Sequence, residues 1–181
     1  FASLVVLVFV LTALWQPGFK SVETARSFFG VHQVVETADA SHRILLHGTT
    51  VHGAQRLENN GAAGPPEPLT YYYRGGPISQ TIAAARAMKK GKLARVAVVG
   101  LGSGSLACHT RRGESWTCYE IDPEVVRIAK DPRLFSFLSS CAPDAGIVVG
   151  DARLTLAKAK QRHNLIVIDA FSSDSIPVHL L

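Results

Sequence analysis

The sequence predicts an α/β protein: a doubly wound parallel sheet preceded by a smaller β-rich region. Short apolar runs alternate with helical stretches between residues 94 and 168, and this alternation is typical of right-handed βαβ units. Each of four such runs ends in a glycine or an acid, the usual position of ligand-binding residues in these sheets. The length of 181 residues suits one domain with an appendage.

Composition excludes a disordered chain, because 47% of the residues are hydrophobic and 18% are charged. The formal net charge is +5. No basic run carries interleaved aromatic residues, so a nucleic-acid partner is not favoured. Weak attraction to an anionic membrane surface is equally compatible with this charge.

The first segment, residues 1–17, is predicted to be the C-terminal part of a transmembrane helix. Residues 1–15 are apolar and uncharged, but a complete span needs about 20 residues. Pro17 ends the helix, and Lys20 and Arg26 place the following region in the cytoplasm. We therefore expect an anchor in the inner or plasma membrane. The alternative is a buried helix of a soluble protein.

Residues 18–76 form the β-rich region. Strand-like stretches at 28–35 and 43–47 flank a turn at 39–41, which predicts a hairpin. A loop rich in glycine and proline follows at 59–68.

The remaining residues, 77–181, are predicted to form a Rossmann-like nucleoside-binding domain. We expect a helix at 77–90, a strand at 94–99, and a glycine turn with a helix at 100–112. Three further strands, at 116–119, 147–149 and 165–168, then alternate with helices at 123–130 and 152–161. A sheet that ended here would lack strands, so we expect the domain to continue beyond residue 181.

Candidate ligand-binding residues follow the four strands. The first strand ends in a glycine turn that includes Gly100, Gly102 and Gly104, and the later strands end in Glu120, Asp151 and Asp169. Glycines let a backbone approach a ligand closely and present N–H groups from a helix start. An acid at a strand end can also serve only as a helix cap.

These residue types together indicate an adenosine pocket. Glu120 lies about 20 residues after the glycines, where a carboxylate accepts hydrogen bonds from ribose hydroxyls. Asp151 is placed to accept from the adenine amine, and Ile121 to pack on the ring. Leu106 or Ser105 stands where a dinucleotide site has its last glycine, which disfavours NAD.

The cysteines, Cys108, Cys118 and Cys141, are too few and too scattered for a disulfide framework. With no CxxC pair, a structural zinc site is not expected either. The count fits a reducing compartment. His47 and His52 are five residues apart and are predicted to face opposite sides of a strand, so we expect no metal site there.

The chain resembles spermidine synthase-like proteins, and in particular the bacterial type in which this domain follows transmembrane helices. Seven stretches carry the resemblance: RSFFGVHQV (26–34), LLHGTTVHGAQ (45–55), PLTYYYRGGP (68–77), VAVVGLGSGSLA (96–107), CYEIDPEVV (118–126), VGDAR (149–153) and IDAFSSDSIPVHLL (168–181). The glycine turn is generic to class I S-adenosylmethionine methyltransferase-like folds, whereas the second and last stretches are more specific.

The resemblance implies an aminopropyltransferase of polyamine biosynthesis with no prosthetic group. The donor would be decarboxylated S-adenosylmethionine, the acceptor a diamine such as putrescine, and the leaving group 5′-methylthioadenosine. Spermidine synthases are usually oligomeric, so a homo-oligomer is compatible. The implied catalytic residue is Asp169, since an ammonium acceptor must lose a proton before it attacks. The acceptor side would include Gln55, Tyr72, Tyr73 and Asp174. The donor side would include Gly100, Gly102, Ser103, Gly104, Glu120, Ile121, Asp151 and Ala152.

Three departures fall near the expected polyamine pocket. Ser103 replaces the usual glycine-turn Asp, His47 replaces the Asp of Leu-Asp-Gly, and Arg74 follows the tyrosines where His is usual. These changes remove two acids and add a cation. A methyltransferase that uses intact S-adenosylmethionine, and a membrane-tethered nucleoside-binding module without turnover, are therefore alternatives.

Local structural roles also compete with ligand roles at three places. The run Tyr71 to Tyr73 can be plain packing. Asp122 is expected to cap the helix that begins at Pro123. Asp174 can cap a following helix rather than bind an amine.

Overall fold

The computed structural model describes residues 18–57 and 65–171. This part of the chain forms two four-stranded sheets. The predicted membrane segment 1–17 and the acceptor-side candidate Asp174 lie outside the described residues. Within the described residues, no helix has the length and apolar character that a membrane span needs.

The first sheet is an antiparallel meander with its strands in chain order. It consists of β1 (Phe19–Ser27), β2 (Gly30–Thr37), β3 (His42–His47) and β4 (Thr50–Arg56). Only two strands, at 28–35 and 43–47, were predicted here. Strand β1 was not predicted because most of it is exposed and lacks apolar alternation, and β4 was not predicted because Gly53 and polar residues interrupt it.

The second sheet is parallel throughout, with the order β7-β6-β5-β8. Its strands are β5 (Arg95–Val99), β6 (Ser115–Glu120), β7 (Gly146–Val149) and β8 (Leu165–Ile168). The predicted doubly wound α/β architecture is confirmed. All four residues of β5 after Arg95 are buried, which explains the uninterrupted apolar run, because helices and connections cover both faces of a parallel sheet.

Four helices accompany the strands: α1 (Pro77–Met88), α2 (Pro123–Lys130), α3 (Phe137–Cys141) and α4 (Ala152–Ala157). Asp122 caps α2 by accepting a hydrogen bond from the Glu124 amide at 2.9 Å, as predicted. The predicted helix after the glycine turn is a 3-10 segment, Ser105–His109. Helix α4 ends at Ala157 because the following residues, 158–163, include no large apolar side chain to bury. Helix α3 was not predicted.

Two large apolar clusters form most of the core. One fills the space between the parallel sheet and α1 and α2, and includes Ile82, Leu93 and Trp116. The other joins β2 and β3 to the α2–α3 connection through Val34, Leu45, Ile128, Phe135 and Phe137. The second cluster fixes the first sheet against the carboxyl side of the parallel sheet, where the candidate site lies.

A disulfide joins Cys108 to Cys141, with the two Cα atoms 4.8 Å apart. It links the 3-10 segment to the end of α3, and Cys118 is a buried free thiol. The sequence predicted no disulfide framework, and the single disulfide found among the described residues was not foreseen, because two residues separated by 33 positions in sequence meet in space. The inference of a reducing compartment loses its basis with that correction.

Reduction of the Cys108–Cys141 disulfide should lower the free energy of unfolding by about 3 kcal/mol, because it releases a large closed loop in the unfolded chain. Urea unfolding with and without dithiothreitol measures the change. A Cys141→Ser variant should be insensitive to dithiothreitol. Detection of three free thiols in the unreduced, denatured protein would contradict the assignment.

Candidate functional site

The glycine turn after β5 is packed too tightly to accept side chains. Gly100 has a φ of +94°, and a Cβ there would lie 2.1 Å from the Asp169 carbonyl oxygen. Gly102 has a φ of +54°, and a Cβ there would lie 2.6 Å from the His52 carbonyl oxygen. The turn is therefore held between the end of β8 and the start of β4, with its backbone at the edge where parallel strands bind ligands.

Glu120 ends β6 beside this turn and is buried, with 8% of its surface exposed. Its Oε2 accepts a hydrogen bond from the Leu101 amide, and its Oε1 accepts one from the Asp122 amide, both at 2.9 Å. Burial raises the pKa of Glu120, although these backbone donors act to lower it. A carboxylate has about four acceptor positions, so Glu120 can still accept a bond from a ligand hydroxyl.

Asp151, the predicted adenine-amine acceptor, caps α4. Its Oδ1 accepts from the Arg153 amide at 2.8 Å and from the Leu154 amide at 3.4 Å. Both capping bonds go to Oδ1, so Oδ2 takes no part in them. Ile121 follows Glu120 and is half-buried, whereas Ala152 is buried in a small cluster with Tyr119. Ala152 therefore belongs to the core behind the site.

Asp169 follows β8 and is paired with a tyrosine 97 residues away in sequence. The Tyr72 hydroxyl donates a hydrogen bond to Asp169 Oδ2. Burial raises the pKa of Asp169, and the bond from Tyr72 acts in the opposite direction. The pKa of Tyr72 is also raised, by burial first and by the Asp169 charge second. The structure thus brings together two of the predicted site residues: the half-buried acid Asp169 and its buried hydrogen-bond donor Tyr72.

The neighbouring tyrosines differ from Tyr72. The Tyr71 ring lies 4.5 Å from that of Tyr72, and burial raises its pKa to about 12. Tyr73 is 50% exposed, and its ring lies against Gly76, where there is no room for a Cβ. The packing alternative therefore fits Tyr73, while Tyr72 is the residue that contacts the acid.

Gln55 is bound to the protein through both ends of its amide. Its Nε2 donates to Ser136 Oγ and its Oε1 accepts from the Ser136 amide, each at 2.9 Å. Ser136 directly precedes α3. Gln55, predicted on the acceptor side, thus fixes β4 to the start of α3 in this structure.

Two buried polar atoms beside the glycine turn lack a hydrogen-bond partner among the described residues: Ser103 Oγ and His52 Nε2. Ser103 is 1% exposed, and its hydroxyl lies directly beside Gly53 of β4. Its amide donates to the His52 carbonyl at 3.4 Å. Unpartnered buried polar atoms are uncommon. Here they make the part of the site beside the glycine turn polar but uncharged.

The predicted opposite orientation of His47 and His52 is wrong. A turn at 48–49 separates them, so they lie on neighbouring antiparallel strands with ring centroids 5.6 Å apart. His32 continues the row, with its ring centroid 4.6 Å from that of His47. His32 Nε2 lies 2.7 Å from Asp122 Oδ2. Despite this row, no group of three side chains in residues 18–57 and 65–171 is arranged to hold a metal ion.

Three features were not predicted from the sequence: the histidine row, the contacts of Ser136, and an ion pair that is linked to Tyr72 through His109. Arg86 Nε lies 2.7 Å from Glu114 Oε1, and Arg86 Nη2 donates to the His109 carbonyl. His109 Nε2 in turn lies 2.8 Å from the Tyr72 carbonyl. An arginine on the buried face of α1, four residues after the apolar Ile82, was the signal in the sequence.

The fold and this edge define a Rossmann-like α/β domain of the methyltransferase type. The chain is 37% identical over 93 residues to the polyamine aminopropyltransferase of Vibrio vulnificus (strain CMCP6), a match that covers 48% of this chain and 30% of that protein. No protein-family model matches the chain.

Two solved structures share the fold. Spermidine synthase from Thermotoga maritima superposes with a TM-score of 0.57 at 15% identity, covering 86% of this chain and 48% of that one. A spermidine synthase in complex with the transition-state analogue AdoDATO gives 0.57 at 16% identity, covering 84% and 47%. The chain thus spans less than half the length of each of these relatives. Together the comparisons support a spermidine synthase-like family over part of the chain.

Acid should destabilise the protein through His52. Burial lowers the pKa of His52 from 6.5 to about 4, so the unfolded chain takes up this proton at a higher pH than the folded one. The contribution is complete above pH 6.5 and declines as the pH falls toward 4. At pH 5 the loss is about 2 kcal/mol, at about 1.4 kcal/mol per unit.

Urea unfolding at pH 7.5 and pH 5 measures this effect. The stability difference between the two pH values should shrink by about 2 kcal/mol in His52→Asn, and His163→Gln serves as the comparison variant. An unchanged difference in His52→Asn would show that His52 is protonated equally in the folded and unfolded chain.

Proposed function

We propose that the protein is a spermidine synthase-like aminopropyltransferase. It would transfer an aminopropyl group from decarboxylated S-adenosylmethionine to a diamine such as putrescine and release 5′-methylthioadenosine. The observation that carries this proposal is the Tyr72–Asp169 pair at the tip of β8, beside the glycine turn and Glu120. The similarity to a polyamine aminopropyltransferase supports it at the level of the family.

The donor would occupy the strand-end edge. The open lone pairs of Glu120 suit the two ribose hydroxyls, and the backbone of Gly100, Gly102 and Ser103 can approach the sulfonium side of the donor closely. Ile121 and Asp151 would contact the adenine. No prosthetic group takes part in this proposal.

Asp169 would act on the acceptor. An ammonium has no lone pair, so one proton must leave before the nitrogen attacks. Asp169 takes that proton, the new N–C bond forms at the carbon next to the sulfonium, and the C–S bond breaks with its electron pair remaining on sulfur. The raised pKa of the half-buried Asp169 suits it to this role. Tyr72 fixes the carboxylate through one oxygen and leaves the other for the amine.

The rest of the acceptor pocket is proposed on the resemblance. Tyr73 and Gln55 would border it, and Asp174 would bind the distal amine. His47 and Arg74 stand where relatives carry other polar groups, and the Arg74 guanidinium donates to the Cys108 carbonyl at 3.3 Å. The loss of an acid at His47 and the added cation at Arg74 favour an acceptor with less positive charge than a long polyamine.

A methyltransferase that uses intact S-adenosylmethionine is the second candidate. The buried, unpartnered hydroxyl of Ser103 favours it. Loss of the glycine-turn Asp removes the charge that would repel a donor carboxylate, and a serine hydroxyl can donate a hydrogen bond to one. The two candidates release different nucleosides, so one assay separates them.

The membrane-fused arrangement remains a proposal. Residues 1–17 would end a transmembrane helix, and Lys20 and Arg26 favour a cytoplasmic domain. The Cys108–Cys141 disulfide argues against a reducing compartment. Reaction of the exposed lysines of the native protein with a membrane-impermeant amine reagent in intact cells would separate the two sides. A homo-oligomer is also proposed from the resemblance.

Asp169→Asn should lower aminopropyl transfer by about 10²–10⁴-fold, because the amide cannot take the proton. The protein is given intact and decarboxylated S-adenosylmethionine with a diamine mixture, and mass spectrometry identifies the nucleoside released. Asp144→Asn, at an exposed loop position, is the matched control and should retain activity.

Methylthioadenosine that appears only with a diamine present supports aminopropyl transfer. S-adenosylhomocysteine would instead assign the protein to the methyltransferases. If neither nucleoside appears in a folded protein that binds methylthioadenosine, the site is a nucleoside-binding module.

Glu120→Gln should weaken methylthioadenosine binding at least about tenfold. The new amide group faces a backbone donor, from either Leu101 or Asp122, where an acceptor is required. Isothermal titration calorimetry measures the affinity, and Glu124→Gln on the outer side of α2 should leave it unchanged. Equal affinity in the two variants would contradict the assignment of Glu120 to the ribose.

A further inference from the structure

The edge at which the parallel strands begin is densely basic. Because β5, β6 and β8 are parallel neighbours, their starts lie together. Three stretches lead into them, 89–95, 111–115 and 158–164, and we call their exposed face the strand-start surface. Its exposed cations are Lys89, Lys90, Lys92, Arg95, Arg111, Arg112, Lys158, Lys160 and Arg162.

Backbone contacts make this surface continuous. The Ser115 amide donates to the Ala94 carbonyl at 3.0 Å, which joins the first two stretches. Arg95 joins the first to the third: its amide donates to Asn164 Oδ1 at 2.9 Å and its Nε donates to the Arg162 carbonyl at 3.0 Å. The three stretches that carry the cations therefore lie next to one another at one edge of the sheet.

Little negative charge balances them. The only acid in the three stretches is Glu114, and it is already paired with Arg86. Among the described residues, the ion pairs of lysine and arginine involve Arg43, Arg86, Arg127 and Arg133, and none of the surface cations. The chain as a whole carries only +5, so its positive charge is concentrated at this edge.

The chemistry of the surface fits a lipid bilayer better than a nucleic acid. The three stretches contain no Phe, Tyr or Trp, the side chains on which single-stranded bases stack. They are connecting segments, whereas a helix or a two-stranded ribbon reads a duplex groove. An anionic bilayer requires only clustered cations. Met88, 83% exposed beside Lys89, adds an apolar side chain that can enter the lipid interface.

A recess of about 310 Å³ opens on the same surface, with Arg95, Lys160 and His163 in its wall. Hydroxyl groups of Ser115 and Thr117 also line it. Two cations with adjacent hydroxyl donors suit a phosphate headgroup.

We propose that the strand-start surface binds the anionic face of a phospholipid bilayer. The candidate site lies at the opposite, strand-end edge of the sheet, so a protein bound in this way keeps that site open to water. The proposal does not depend on the reaction that the site performs.

The test measures binding of the full chain to vesicles. Neutral phosphatidylcholine vesicles report any contribution of the apolar segment 1–15, and vesicles with 30 mol% phosphatidylglycerol add the charge effect. Each Lys or Arg near such a surface contributes about fivefold. The variant Lys89→Gln/Arg112→Gln/Lys160→Gln should therefore bind the anionic vesicles about 100-fold more weakly, with unchanged binding to neutral ones.

The variant Arg56→Gln/Lys130→Gln/Arg133→Gln removes the same charge from exposed positions elsewhere and should bind like the parent. Matching urea midpoints for the parent and both variants ensure that folded proteins are compared. Salt at 0.5 M should abolish the difference between the two vesicle types. Equal binding to both vesicle types, or equal loss in the two variants, would overturn the proposal. Displacement of the vesicles by a short RNA or DNA duplex at the same ionic strength would also overturn it.

Discussion

The lack of space around the glycine turn is the constraint on which the candidate site depends. Gly100 lies against the backbone of Asp169, and Gly102 lies against the backbone of His52. One short turn thereby sets the distance between β8, which carries the acid, and β4, which belongs to the other sheet. A single added methyl group would force these elements apart, and the strained φ values would add a further cost.

The parallel sheet was readable from the sequence because its information is local. Buried apolar runs, Pro123 after Asp122 and a glycine turn or an acid after each strand specify elements and their order without knowledge of distant contacts. The predicted bounds of α2 and β8 agree with the structure for the same reason. The strand-end positions of Glu120 and Asp169 follow from parallel pairing alone.

Contacts between distant segments could not be read in this way. The Tyr72–Asp169 bond joins residues 97 positions apart, and nothing in the triple tyrosine run indicates which ring meets the acid. The facing of His47 and His52 required knowledge of the turn between them. The short helix α3 has too little periodicity to be recognised, and it exists because Phe137 is buried against the first sheet.

The candidate site combines two acids with neutral polar atoms that lie between them. Glu120 is a buried acid and Asp169 a half-buried one, and each accepts hydrogen bonds from specific donors. Between them, Ser103 and His52 contribute neutral polar atoms without partners among the described residues. A ligand that satisfied both atoms would recover the free energy that their burial costs, so selection among related ligands can act through this part of the site.

The disulfide encloses a particular piece of the molecule. Cys108 and Cys141 close a covalent ring that contains β6, Glu120 and all of α2, while the glycine turn lies just outside it. The exposed pair Arg111 and Arg112 lies inside the ring. A trypsin-like cut at that pair would open the backbone without separating the pieces, so the two parts of the candidate site would stay joined until a reductant reached the sulfur atoms.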